Sequence, residues 1–156
     1  MKKTGITACV LECSLLALSF MAIFTKNIQA QTQEQAAQVI NIQDAEWGPP
    51  GNSPRFPSGV RTSQLGVHPE HGGPSYFSRF PPGSHFDLHW HTYAEYVVVL
   101  SGEGTIVLGE DSHELSPGSY IVIPAKLNHS WDVPAGDTEL VILVKRDGPA
   151  DFNFVD

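Results

Sequence analysis

Cysteine is almost missing from this chain: Cys9 and Cys13 are the only two, and both fall within the first thirty residues. The part after residue 30 has no thiol, which excludes from it a disulfide framework, thiolate ligation of a metal and a cysteine nucleophile. Positive charge is scarce too. Nine Lys and Arg stand against seventeen Asp and Glu, a formal net charge of −8. An acidic surface repels phosphate backbones, so no nucleic-acid partner is expected, and the charge serves solubility. Long apolar runs are also lacking. The longest, Ser14–Phe24, has eleven residues, against the roughly twenty that cross a bilayer as a helix.

What stands at the start has the order of a secretory signal. Lys2 and Lys3 are followed by the apolar run, and then Ile28-Gln29-Ala30 ends on a small residue before Gln31. Residues 1–30 are therefore expected to be a Sec-type signal peptide cleaved near Ala30, since no twin-arginine pair is present. That places the mature chain in the periplasm or outside the cell, with no membrane association after cleavage. The alternative is an uncleaved anchor, if Gly5–Phe24 counts as one apolar stretch despite Glu12. The leader holds three of the nine basic residues and one of the seventeen acids, leaving six against sixteen and a mature charge of −10.

Residues 31–59 read as a linker or N-terminal arm. Gln31–Gln43 is glutamine-rich, with Glu34 its only charge, and allows a short helix at 33–39. Residues 47–59 carry four prolines and three glycines, which forbid regular structure; Trp47 and Phe56 are expected to anchor this loop. From Val60 the texture changes to short β-rich runs, with no helical period among them. They are Val60–Val67, Ser75–Phe80, Phe86–His91, Ala94–Leu100, Gly104–Leu108, Ser119–Ile123, Asn128–Val133 and Glu139–Lys145, followed by an alternating stretch at 152–156. Turn residues separate them at even spacing, the pattern of an all-β sandwich or barrel. One domain, 60–156, is expected.

The informative stretch is Gly83–Gly102. His89 and His91 lie two apart, so on an extended strand both point to one face. Glu95 follows past a bend at Thr92-Tyr93 and can reach that face from the next strand. His129 comes thirty-four residues after Glu95, in its own apolar strand. Three imidazoles and a carboxylate form a borderline-soft donor set. It suits Mn, Fe, Co, Ni, Cu or Zn rather than a hard all-oxygen calcium or magnesium cage. Such a site leaves coordination positions open for water or substrate.

These residues carry a family resemblance. Gly83, His89, His91, Glu95 and Gly102 satisfy every spacing of the first cupin motif, and Gly118, Pro124 and His129 those of the second. Lys126 stands where the second motif has its third glycine, and Val133 where it has asparagine; Lys126 hints that the tight glycine turn before His129 is lost. The fifteen residues between Gly102 and Gly118 are the shortest usual separation. The resemblance covers roughly residues 60–146 and implies the cupin double-stranded β-helix, a jelly-roll-like antiparallel barrel. It also implies one divalent transition metal on His89, His91, Glu95 and His129, with Zn or Cu favoured and Mn, Fe or Ni possible. More loosely, the leader and the closing residues are similar to exported single-domain bacterial cupins and to the cupin domain of some anti-sigma factors. Cupins often pair, so a homodimer is possible.

Around the ligands, alternation turns Val97 and Val99 inward with Glu95, and Trp131 inward with His129. Tyr76, Ser78 and Phe80 share one face of their strand; Phe77 and Arg79 share the other, where Arg79 would meet a substrate carboxylate only if that face were internal. Tyr93, beside the ligands, and His85, of the same parity as His89, are candidates with Glu95 for moving protons. His68 and His71 read as histidines of a turn-rich loop, and His113 as exposed in an acidic turn. Three functions fit. The first is a metal-dependent enzyme on a small organic molecule, with dioxygenase, isomerase and lyase chemistry all open. The second is a non-catalytic metal-containing ligand-binding or sensing module, and the third a periplasmic metal store. Metal binding by neutral imidazoles would weaken as pH falls through about 6.5.

A chain exported unfolded takes its metal outside the cytoplasm, where the stability order favours copper and zinc over manganese and iron. Elemental analysis should find zinc or copper in protein exported natively, and a different mixture in leaderless protein made in the cytoplasm. Iron or manganese in both would show that the geometry of the site selects the metal.

Overall fold

The computed structural model describes residues 36–156; the expected leader lies outside the described residues. Ten strands follow in order: β1 (Arg61–Val67), β2 (Pro74–Phe80), β3 (His85–Trp90), β4 (Glu95–Ser101), β5 (Gly104–Leu108), β6 (Asp111–Leu115), β7 (Tyr120–Ile123), β8 (His129–Asp132), β9 (Leu140–Arg146) and β10 (Asn153–Phe154). The eight runs expected from the sequence all form strands, each bounded within one residue of its expected ends. Two expectations need correction. Residues 36–39 are not helical, and the arm forms only a 3-10 turn at Ile42–Asp44. The acidic stretch Asp111–Leu115 is a strand, because pairing with β5 outweighs its composition; Leu115 is its single buried residue, and His113 is exposed.

The strands form two five-stranded sheets, ordered β1-β2-β9-β4-β7 and β10-β3-β8-β5-β6. All pairings are antiparallel. The core lies between the sheets, and period-two alternation supplies it. β4 buries Glu95, Val97 and Val99; β9 buries Leu140, Ile142, Val144 and Arg146. Phe80, Ile106, Ile121, Ile123 and Trp131 complete the apolar part, each worth roughly 1.5–3 kcal/mol when taken from water. Among the described residues, no helix is long and apolar enough to cross a membrane.

The loop before β1 is bound to the barrel. Gly48 and Gly51 donate to the Thr62 and Val60 carbonyls. Phe56 packs on Phe86, Phe152 and Phe154, with centroids 4.9–5.2 Å away. Trp47 covers the outer side of β2, 6.5 Å from Phe77 and with the Arg79 guanidinium 4.0 Å from its ring. Arg79 also reaches Glu139 at 3.4 Å, so it faces away from the interior.

Of the three left-handed motif glycines, Gly102 and Gly118 differ in what surrounds them. Gly102 has φ +80°, and a Cβ there would run into the Glu139 carbonyl; Gly118 has φ +93° with open space around it. Gly102→Ala should therefore lose about 3 kcal/mol or more in urea unfolding, through strain and collision together. Gly118→Ala should lose only about 1 kcal/mol, the left-handed penalty alone. Equal losses would show that the Gly102 contact is relieved by movement of the Glu139 backbone.

Candidate metal centre

Sheet pairing brings the histidines together. His89 on β3 lies directly opposite His129 on β8, their ring centroids 4.2 Å apart. His91, one residue past β3, is 4.9 Å from each. One ring nitrogen from each of the three lies within 4.8 Å of the others, and all three side chains are buried. Glu95 enters from the facing sheet as the first residue of β4, with Oε2 3.4 Å from His91 Nε2. The three histidines thus meet at one place, with the Glu95 carboxylate against His91. The loop before His129 keeps its form without the expected glycine: Lys126 itself adopts φ +63° and donates its N–H to the His91 carbonyl at 2.8 Å.

The tautomer of each histidine follows from its partner. Nδ1 of His89, His91 and His129 meets the carbonyls of Asp87, Asp151 and Leu127 at 2.7, 2.7 and 2.9 Å. A carbonyl can only accept, so each Nδ1 carries the hydrogen and each neutral ring presents an Nε2 lone pair. Burial keeps them neutral. It is the main cause that lowers His89 and His91 from 6.5 to about 3, with the nearby His129 and Arg146 next in turn; His129 is lowered for the same reason. The value of a free histidine, near 6.5, expected from the sequence, does not apply to His89 and His91. Nε2 of His129 is buried with no hydrogen-bond partner, which leaves an orphan worth roughly 1–3 kcal/mol. Three aligned nitrogen donors, one of them unanswered, fit a borderline-soft divalent cation.

The residue that sequence reasoning missed is Arg146. Fully buried, it places Nη2 2.6 Å from Glu95 Oε2, an ionic contact with no N–H aligned on that oxygen, and donates to His91 Nε2 at 3.2 Å. Its Nε donates to the Tyr76 hydroxyl at 3.3 Å. One signal could have found it: the inward parity of Leu140, Ile142 and Val144 falls next on Arg146. Burial raises Glu95 to about 7 while Arg146 pulls it down. Burial also holds the Tyr76 hydroxyl well above its usual range, so it stays protonated.

Two other candidates lie elsewhere. A bulge between Phe86 and His89 breaks the parity of β3. Phe86 turns inward beside His89, at 4.1 Å, and His85 turns outward, half-exposed, to meet Asp132 at 2.7 Å. Tyr93 sits in the bend after β3, 43% exposed, its ring against the Gly148 backbone. Neither lines the cavity beside the histidines. That cavity, about 270 Å³, is walled by Tyr76, Phe80, Phe86, Trp131, Ile142, Val144 and Phe152, with His89, His91, Glu95 and Arg146 at its polar end.

Residues 76–144 match the family model of the cupin domain. Those residues form a cupin domain. The chain is 39% identical over 62 residues to auxin-binding protein 1 of Arabidopsis thaliana, which is 40% of this chain and 31% of that one. It spans only 23–41% of the length of the curated relatives it matches. A cupin-2 domain from Rhodospirillum rubrum shares its fold at TM-score 0.62 and 20% identity, over 77% of this chain and 80% of that one. A predicted oxalate decarboxylase from Thermotoga maritima does so at 0.60 and 20%, over 76% of this chain and all of the other. A polyketide cyclase from Streptomyces resistomycificus matches at 0.60 and 18%, over 78% and 87%.

The depressed histidines set a pH dependence for metal-free protein. As pH falls below 6.5 the unfolded chain protonates imidazoles that the folded chain keeps neutral down to about 3, so stability is lost across that window. Glu95 opposes this above 4.5, because folded it holds a proton that the unfolded chain lacks. Denaturant titrations should show a loss of at least about 1.4 kcal/mol per pH unit from 6.5 to 4.5, with His129 adding to it, and a steeper one below. Stability that is flat between pH 6.5 and 4 would mean that the histidines titrate normally in the folded chain.

Proposed function

We propose that this protein is an exported metal-dependent enzyme acting on a small organic molecule, with one divalent transition metal on His89, His91 and His129 and on Glu95. The observation that carries it is the convergence of three neutral, tautomer-fixed imidazoles, two of which, His89 and His91, line the polar end of an apolar cavity. When bound, the metal would supply Lewis-acid or redox chemistry, with zinc or copper favoured and manganese, iron or nickel possible. The chain's own groups supply the rest. The aromatic wall excludes water and holds an apolar body. Glu95, near 7 and buried against Arg146, can hold or release a proton at its carboxylate. Tyr76 stays protonated and can donate its hydroxyl hydrogen while accepting from Arg146. The solved cyclase and the predicted decarboxylase are enzymes by their names, which supports the reading at the level of the fold.

A second reading, a non-catalytic ligand-binding module, is favoured by one observation: neither His85 nor Tyr93 lines the cavity, so few proton-moving groups face it. The name of the Arabidopsis relative points the same way. The export half of the proposal stands on the order of residues 1–30 alone.

Mature protein should bind about one zinc or copper per chain, measured by elemental analysis after dialysis. His89→Ala with His91→Ala should abolish binding, and His68→Ala with His71→Ala should leave it unchanged. Full metal content in the first variant would overturn the site. Metal-loaded protein that binds small organic ligands but turns over no member of a broad panel would favour the second reading.

A further inference from the structure

We propose that the segment Ala150–Phe154 positions a metal ligand, so that docking of this segment and metal binding reinforce each other. The proposal rests on the metal site proposed above. His89 and His129 are each oriented by the carbonyl two residues earlier, those of Asp87 and Leu127. His91 is different: its Nδ1–H goes to the carbonyl of Asp151, sixty residues on, at 2.7 Å. The same oxygen accepts from Arg146 Nη1 at 3.0 Å, so one backbone atom holds both a ligand imidazole and the guanidinium paired with Glu95. Phe152 completes the support. Its ring stands edge-on to His91, centroids 5.1 Å apart at 84°, and takes the Arg146 cation over its face at 4.8 Å.

The segment is itself held in place. Thr92 donates its N–H to the Asp151 carboxylate at 3.0 Å, and its hydroxyl donates to the same carboxylate. Phe154 pairs in register with His89, and Val155 N–H donates to the Leu88 carbonyl at 3.0 Å. Arg55, from the loop before β1, donates to the Val155 carbonyl. A metal on Nε2 draws charge from the ring and strengthens the hydrogen bond at Nδ1. Metal should therefore tighten the hold of His91 on Asp151, and a docked segment should tighten the hold on metal by the same factor.

The test is hydrogen exchange of the unmodified chain with and without saturating zinc. The Val155 amide should slow about tenfold more than the amides of β6, at the far edge of the same sheet. A Val155 amide that does not slow, or slows only in step with β6, would overturn the coupling. In a second arm, Asp151→Ala with Phe152→Ala should weaken zinc binding about tenfold in competition with a chelator. Asp151→Asn, which keeps an oxygen for Thr92, should stay near the unmodified affinity. An affinity within twofold of the unmodified chain in the double variant would also overturn it. Should that variant fail to fold, the exchange arm decides alone. A chain that takes up no zinc would instead overturn the metal reading itself.

Discussion

A buried polar group needs a partner, and the space between these two sheets holds several of them. Ser78, His89, His91, Glu95, His129 and Arg146 all lie inside beside the apolar core. The centre survives there because the backbone answers most of it. Each of the three histidines gives its Nδ1 hydrogen to a carbonyl, and burial then holds the rings neutral with their lone pairs inward. Two atoms of the site are left without a hydrogen bond, His129 Nε2 and Glu95 Oε2, and only the carboxylate has a charge, that of Arg146, against it. An orphaned nitrogen donor beside two others is what a cation would fill.

Arg146 gives the centre its second character. A carboxylate buried alone would be held protonated, whereas a guanidinium 2.6 Å away favours its ionised form. The two effects leave Glu95 near 7, where a group exchanges protons most readily at neutral pH. Arg146 also ties together three parts of the fold: Tyr76 on β2, Glu95 on β4 and the segment that carries Asp151. Its fixed fork of donors makes this possible; a lysine there would offer a point charge without the three directions.

Local pattern explains most of the architecture. The strand ends were legible to within a residue because apolar alternation and turn residues mark them. The motif glycines Gly83, Gly102 and Gly118 do take left-handed conformations, and the three candidate histidines do meet. Failures came where a long-range contact overrode a local rule. Parity along β3 aimed His85 at the cavity, and a bulge of one residue reversed it. The acidic composition of Asp111–Leu115 suggested a turn, and its partner strand made it β6. At Lys126 the expected loss of a tight turn did not follow, because the bond from its N–H to His91 holds a conformation that glycine would take more cheaply.

Spacing along the chain was enough to determine the fold class, the choice of three histidines and a glutamate, and the inward faces of β2, β4 and β8. The inward faces depend on residues a few positions apart, where the two-residue period of a strand sets direction, and His129 joins the others through the resemblance of the second motif. Only the tertiary structure decided which groups surround the ligands. Arg146 lies fifty-five residues from His91, and Asp151 sixty. No local period relates positions so far apart; they meet because β9 lies beside β4 and β10 beside β3. The candidate ligands were legible in the sequence, and their protonation, orientation and pairing were settled by the sheets that bury them.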